Sequence, residues 1–175
     1  GYTTSYVYST AGYRSKQIEP YATLYSMTHD SMGRPLVTFD ALGNRSTQQY
    51  DTSGNLTTVI DALGNISSFT YDGQRRMTAR IDPLGRKTTY VWNSDGTLQA
   101  MVDARGLRTT NAYDAVGNLA SVLASDGSVT TFGWDSLGRR TSVQLPGDSV
   151  ARSFVYDAGD NLVASVDLNG ARTTY

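Results

Sequence analysis

The sequence predicts an all-β fold, in which tandem hairpin units of 21 residues form one long, twisted antiparallel sheet. Three observations favour this fold. An aromatic-Asp pair and two glycine turns recur at fixed spacing along the 175 residues. The acidic residues are Asp with one exception, Glu19, and Asp favours turns because its short carboxylate can bond neighbouring backbone N–H groups. The 12 Tyr favour strands.

The first recurring feature is an aromatic anchor that is usually followed by Asp. Each anchor lies 21 residues after the previous one, except that Tyr156 lies 22 residues after Trp134. The anchors predicted to be structural are Tyr50-Asp51, Tyr71-Asp72, Trp92-Asn93, Tyr113-Asp114, Trp134-Asp135 and Tyr156-Asp157, preceded by His29-Asp30 and Tyr8-Ser9.

Two turns follow each anchor, and positions are counted here from the anchor. A glycine stands at position four, except at Arg75 and Asp160. A second glycine stands at position fourteen, and Asp precedes it by three residues at Asp40, Asp61, Asp82, Asp103 and Asp167. Asp can bond back to the backbone, and Gly supplies the positive φ that closes a hairpin turn. The position-four glycines are Gly12, Gly33, Gly54, Gly96, Gly117 and Gly138, and the position-fourteen glycines are Gly43, Gly64, Gly85, Gly106, Gly127 and Gly170.

The two runs between the turns have the length of strands, and alternation assigns their faces. In the first strand, positions six, eight and ten are large, small and large, as in Leu98, Ala100 and Val102. In the second, positions 17, 19 and 21 are small, aromatic and aromatic, as in Phe132 and Trp134. We expect both sets to form a single apolar or aromatic face. A twist of roughly 20° per strand would make so long a sheet curl.

The chain is predicted to be a single array over residues 1–175, with about seven units. Residues 13–28 form a degenerate unit, which lacks the central Asp and carries Pro20. Both ends of the sequence fall inside a unit, so we expect it to be a segment of a longer array.

Two copies of the unit resemble the YD or RHS repeat family closely: Tyr50-Asp51-Thr52-Ser53-Gly54-Asn55-Leu56 and Tyr113-Asp114-Ala115-Val116-Gly117-Asn118-Leu119. The resemblance covers nearly the whole chain. It implies a β-sheet strip that spirals as part of a hollow shell. It also implies one of four settings: Rhs polymorphic toxins, shell proteins of insecticidal toxin complexes, wall-associated repeat proteins or teneurin-like proteins. The self-cleaving region and the toxin domain of such toxins have no counterpart in this sequence.

The function that the resemblance implies is structural: a shell segment that encapsulates a toxin or other cargo domain of the parent polypeptide. Its partners would be neighbouring repeats and the enclosed cargo, in a bacterial protein that is secreted or displayed at the cell surface. The alternative is a cell-surface adhesion module that binds carbohydrate or a receptor through aromatic side chains such as Trp92 and Trp134. A third hypothesis is edge-to-edge self-association through unpaired strands.

The sequence favours no enzyme, cofactor or metal site. The single histidine, His29, holds an anchor position, and the Asp residues are explained by turns. There is no cysteine, which excludes thiolate ligands. A net charge of -1 argues against nucleic acid as a partner. No apolar run approaches the roughly 18 residues of a membrane span.

Overall fold

The computed structural model describes residues 3–19 and 22–175, and all regular secondary structure in these ranges is β-strand. The chain forms two compact units, Gly1–Thr88 and Thr89–Tyr175. Pro20, part of the predicted degenerate unit, lies outside the described residues. No helix long and apolar enough to cross a membrane occurs in the described ranges.

In the first unit, each strand pairs antiparallel with the next along the chain. The strands are β1 Ser5–Tyr8, β2 Arg14–Glu19, β3 Ala22–His29, β4 Pro35–Asp40, β5 Arg45–Tyr50, β6 Leu56–Ile60, β7 Ile66–Tyr71 and β8 Met77–Ile81.

The second unit is built in the same way, from Thr89 within β9 onward. The all-β fold of antiparallel hairpins is therefore confirmed, whereas the curl into a shell stays a prediction. The strands are β9 Lys87–Trp92, β10 Leu98–Val102, β11 Arg108–Tyr113, β12 Leu119–Leu123, β13 Val129–Trp134, β14 Arg140–Gln144, β15 Arg152–Tyr156, β16 Leu162–Val166 and β17 Arg172–Thr174.

Both kinds of turn have the same backbone geometry. In the turn between β6 and β7, the Gly64 N–H donates to the Asp61 carbonyl at 3.0 Å, and the Asp61 N–H donates to the Asn65 carbonyl at 3.0 Å. Gly64 has a φ of 83°. Arg75 and Asp160, which stand where glycine is expected, adopt φ values of 63° and 64°. The turn therefore imposes the left-handed conformation even on residues that rarely adopt it.

Outside the degenerate unit, where β2 and β3 also shift register, a β-bulge distinguishes the hairpins that follow an anchor. Tyr50 lies opposite Leu56, but Gln49 lies opposite Thr58, so that Thr57 is an extra residue. The Asp-x-x-Gly hairpin between β6 and β7 keeps its register without a shift. The register shift recurs beside the anchors Tyr8, His29, Tyr71, Trp92, Tyr113, Trp134 and Tyr156.

The bulge makes the prediction of one shared apolar face wrong. Residues directly opposite each other in an antiparallel pair point to the same face. Ile60 lies opposite Ile66, and Thr58 lies opposite Ser68, so positions eight and ten share a face with positions 18 and 16. Position six lies with the anchor, because Leu56 is opposite Tyr50. Simple alternation fails because the bulge adds a residue between positions six and eight.

Each 21-residue repeat unit therefore has two different faces. The aromatic face carries positions six, nine, 17, 19 and 21, and the β-branched face carries positions eight, ten, 16, 18 and 20. Ring contacts agree with this assignment. The guanidinium carbon of Arg14, at position six, lies 5.0 Å from the ring centroid of Tyr25, at position 17. The guanidinium carbon of Arg140, also at position six, lies 5.3 Å from the ring centroid of Phe154, two residues before an anchor.

The core of the described residues is thin. Its buried apolar side chains are Ala79, Ala100 and Ala164, with exposed fractions of 5%, 0% and 0%, and all three hold position eight. Ala100 lies between Val91 and Thr110 on the two neighbouring strands. Most other strand side chains are half-buried. The fold is thus stabilised by many cross-strand pairs, each contributing roughly 0.2–1 kcal/mol, more than by a packed interior.

We expect Gly64→Ala to lower the free energy of unfolding by about 1 kcal/mol, because alanine pays a steric cost at a left-handed φ. A Cβ at Gly64 would meet no atom within 4 Å, so the effect isolates backbone conformation. The matched control is Gly73→Ala, since Gly73 also has open space but no positive φ. Urea unfolding of both variants tests the prediction. Equal losses in the two would contradict it.

Candidate functional site along the Tyr-Asp turns

Where a turn begins with Asp, its carboxylate closes the turn by accepting several N–H groups at once. The Asp61 carboxylate accepts from the backbone N–H groups of Leu63 at 2.9 Å and Asn65 at 2.8 Å, and from the Asn65 side-chain amide at 2.8 Å. Asp51 accepts from the backbone and side chain of Asn55, both at 2.8 Å. These carboxylates are engaged in local hydrogen bonds, as expected of turn residues.

These hydrogen bonds hold the carboxylates in the charged form. The side-chain amide of Asn65 lowers the pKa of Asp61 below its ordinary value of 3.8, and the backbone N–H of Asn65 adds to the effect. The side-chain amide of Asn55 lowers the pKa of Asp51 in the same way. Hydrogen bonds to a carboxylate favour its ionised form. The turns are therefore stabilised by charge at neutral pH.

The anchor rings are fastened to the preceding hairpin. The Trp134 indole N–H donates to the Leu119 carbonyl at 2.8 Å, and the Tyr113 hydroxyl donates to the Leu98 carbonyl at 3.0 Å. Both acceptors hold position six of the previous unit. The Tyr156 hydroxyl donates to the position-six carbonyl of Arg140 at 3.0 Å. These polar groups are therefore used within the sheet and are not offered to a ligand.

Position five connects one Tyr-Asp turn with the next. The Arg34 Nη1 lies 3.3 Å from where a Cβ on Gly54 would be, and the Tyr13 ring would clash with a Cβ on Gly33. The guanidinium carbon of Arg34 also lies 4.5 Å from the Tyr50 ring centroid. Gly33 and Gly54 therefore supply the positive φ and also leave room for the position-five side chain of the neighbouring turn.

Arg139 shows this connection most fully. Its Nε donates to Asp135 at 2.7 Å, and its Nη1 donates to the Asp157 carbonyl at 2.9 Å and the Asp160 carboxylate at 2.8 Å. The guanidinium carbon lies 5.0 Å from the Tyr156 ring centroid. Hydrogen bonds to Asp135, followed by the charges of Asp135 and Asp160, raise the pKa of Arg139. One side chain thus joins two successive Tyr-Asp turns of the compact unit Thr89–Tyr175.

The predicted anchors and turn glycines all lie in turns or at strand ends beside them. Their role as structural anchors stays a prediction. His29 lies at the end of β3, with its ring 5.5 Å from that of Tyr13 and its Nδ1 buried. Within residues 3–19 and 22–175, no group of three or more His, Asp or Glu side chains is placed to hold a metal ion. The sequence pattern did not identify position five as a residue that connects neighbouring turns, because its contacts are with a turn about 20 residues away.

Tyr113→Phe removes a hydroxyl that donates to a backbone carbonyl, so we expect it to lower the free energy of unfolding by about 1 kcal/mol. The control is Tyr175→Phe. Tyr175 is 72% exposed, and its hydroxyl lies 3.3 Å from the Ser165 hydroxyl in an exposed hydrogen bond, so the change should be close to neutral. Thermal and urea unfolding measure both. A loss at Tyr175 as large as that at Tyr113 would contradict the role given to the anchors.

Stability should fall in acid through the turn carboxylates. Because their pKa values are lowered on folding, their contribution is fully present above the unfolded pKa and is lost as pH falls through the folded values. We expect the urea midpoint to be level near neutral pH and to decline below about pH 4. Asp61→Asn should make that decline shallower, because it removes one of these carboxylates. An unchanged acid slope in Asp61→Asn would contradict this assignment.

Comparison with known families and structures agrees with the repeat pattern. The family model described as RHS Repeat matches residues 50–87 and 113–150. Comparison with curated proteins gives no match.

Solved structures share the fold. The crystal structure of TcdB2-TccC3-Cdc42 is 14% identical, with a TM-score of 0.63, over 99% of this chain and 12% of that chain. The Tc holotoxin pore of Photorhabdus luminescens is 19% identical, with a TM-score of 0.68, over 87% of this chain and 9% of that chain. This chain therefore spans about a tenth of the length of these proteins. Residues 50–87 and 113–150 therefore match the model of the RHS Repeat family, and the chain shares its fold with these Tc toxin structures.

Proposed function

We propose that this chain is a wall segment of a shell that encloses a toxin or other cargo domain of the parent polypeptide. The mechanism is physical exclusion: a hydrogen-bonded wall separates the cargo from proteases and from its target. The observation that carries the proposal is the unbroken strand pairing within each unit, where every hairpin is bonded to the next. A wall needs such continuity, whereas a binding module needs only a local surface.

Short connections support a barrier role. Five residues join β3 to β4, β5 to β6 and β7 to β8, and every one of these links is closed by backbone hydrogen bonds. The longest connection in the second unit is residues 145–151, which includes a closed turn in which the backbone N–H of Asp148 donates to the Leu145 carbonyl at 3.1 Å. Proteases cleave extended, accessible backbone, and exposed loops are their usual targets. Such a sheet offers few of these sites.

Apolar side chains at the turn tips support contacts with other parts of a shell. In the first unit, Leu42, Leu63 and Leu84 occupy the same turn position and are 86%, 87% and 78% exposed. In the second unit, Val116 and Leu137 are exposed at the tips of Tyr-Asp turns. Apolar tips that recur in turns of the same kind indicate surfaces that are covered in an assembly. Neighbouring repeats or the enclosed cargo would be the partners, in a secreted bacterial protein.

Limited proteolysis of the parent polypeptide tests the shell. We expect cargo inside the intact array to be cut at least about tenfold more slowly than isolated cargo, because cleavage would require the wall to open. Thr70→Pro removes a backbone N–H from the middle of β7 and should restore rapid cleavage, and Thr70→Ser is the matched control. Equal cleavage of enclosed and isolated cargo would refute encapsulation.

A further inference from the structure

The arginines of the compact unit Thr89–Tyr175 fall into two groups. Arg105 and Arg139 lie in turns, and each forms an ion pair with an Asp carboxylate, at 3.0 and 2.7 Å. The arginines in strands form no ion pair within the described part of the chain, and every acid of this compact unit lies in a link between strands. The positive charges of the strands are therefore not neutralised within the sheet. The strand arginines are Arg108, Arg140, Arg152 and Arg172.

Arg108 lines a cavity of about 430 Å³ on the β-branched face. Thr110 lies directly opposite Leu123, and Arg108 is two residues from Thr110 on β11, so the three side chains share one face. The Arg108 Nε donates to the Thr110 hydroxyl at 3.3 Å, and no acceptor among the described residues bonds its Nη groups. A guanidinium held in this way can still donate to a carboxylate. The other lining residues are Gly106, Leu107, Ala124, Ser125 and Gly127.

Two departures from the repeat make this cavity apolar. Position 15 holds Asn65 and Arg86 in other units, and each of them donates to the Asp of its own turn. Leu107 stands at this position here and is 42% exposed. Position eleven is usually Asp, but Ala124 begins the next turn. Leu123 is 43% exposed, so the cavity combines a cation with exposed apolar side chains, and no acid lines it.

A second cavity, of about 590 Å³, adjoins the first at Gly127, which lines both. Val129 lines the second cavity and lies directly opposite Leu123, so the apolar surface continues from one cavity into the next. Asp126 and Asp148 also line the second cavity, and no cation does. The two cavities form one groove across β11, β12, β13 and β14, here named the β11–β14 groove. It has a cation in one cavity and two carboxylates in the other.

We infer that the β11–β14 groove binds an extended polypeptide segment in which an acidic residue is followed by apolar residues and then by a basic residue. The acidic side chain accepts from the Nη groups of Arg108, and the apolar side chains pack on Leu123 and Val129. The basic side chain pairs with Asp126 or Asp148. The groove is elongated over four strands, which favours an extended chain over a compact ligand.

The spacing of an extended chain suits this groove. Alternate side chains of such a chain point to the same side, and four of them span about 20 Å. The groove crosses three strand spacings of roughly 4.8 Å and the turn that contains Asp148. An acid, two apolar residues and a base at alternate positions therefore reach all of the groups that would bind them. Such binding does not depend on encapsulation, so either proposal can fail without the other.

The test uses the 175-residue chain and the synthetic peptide acetyl-Glu-Thr-Leu-Thr-Val-Thr-Lys-amide. An NMR titration should show saturable shifts at backbone amides of residues 106–110 and 121–131, with a Kd of roughly millimolar order. Replacing the Glu of the peptide by Gln should raise that Kd about three- to tenfold, because it removes a charge-assisted hydrogen bond. Replacing the Lys by Gln should also weaken binding, and added salt should weaken it further.

Arg108→Gln should likewise raise the Kd about three- to tenfold. Neutral residues, Ile66 and Val129, hold this position in other units, so circular dichroism should show an unchanged fold. The matched control is Arg172→Gln, which removes an exposed arginine at the same position of another unit and should leave the Kd within about twofold.

Absence of saturable shifts, or an unchanged Kd in Arg108→Gln, would overturn the inference. Octanoate, which carries a carboxylate and an apolar chain but no peptide backbone, is the competing ligand. If it shifts the same amides with a Kd as low as that of the peptide, the groove is a fatty-acid site and the assignment to a polypeptide is wrong.

Discussion

The structure depends on the hydrogen bonds that the Asp carboxylate makes within its own turn. Asp61 holds two backbone N–H groups and a side-chain amide, and thereby fixes where one strand ends and the next begins. In a protein with a large core, packing would also set the register. Here the buried apolar side chains among the described residues are three alanines, so the register must be set locally. The conformational entropy that is lost in ordering each turn is offset by the strand pairing that the turn makes possible.

Three features connect each hairpin with its neighbours in the sheet. The bulge beside each anchor places position six with the aromatic positions and gives the sheet two chemically different faces. The anchor then donates to the previous hairpin, as Trp134 does to the Leu119 carbonyl. Position five reaches the following turn, as Arg139 does to Asp157 and Asp160. Each repeat therefore forms hydrogen bonds with the repeats on both sides. Stabilisation by such nearest-neighbour contacts is expected of a repeat protein.

Local features of this fold could be predicted from the sequence, whereas features that depend on neighbouring units could not. The turn at Gly64 was predictable, because Asp and Gly at that spacing have an intrinsic turn preference. The bulge at Thr57 was not, since it changes the pairing without changing the sequence spacing. The contacts of Arg34 with Tyr50 and of Arg139 with Asp160 arise between neighbouring turns, so a single repeat contains no sign of them.

Native-state hydrogen exchange on the Asp61→Ala variant tests most directly whether the turn carboxylate sets the register. The account predicts that amides of β6 and β7 lose protection, while strands several hairpins away keep theirs, because each unit contacts only its neighbours. Asp61→Asn keeps an acceptor oxygen for the backbone N–H groups, so its β6 and β7 amides should lose much less protection. Unchanged protection of β6 and β7 in Asp61→Ala would contradict the account.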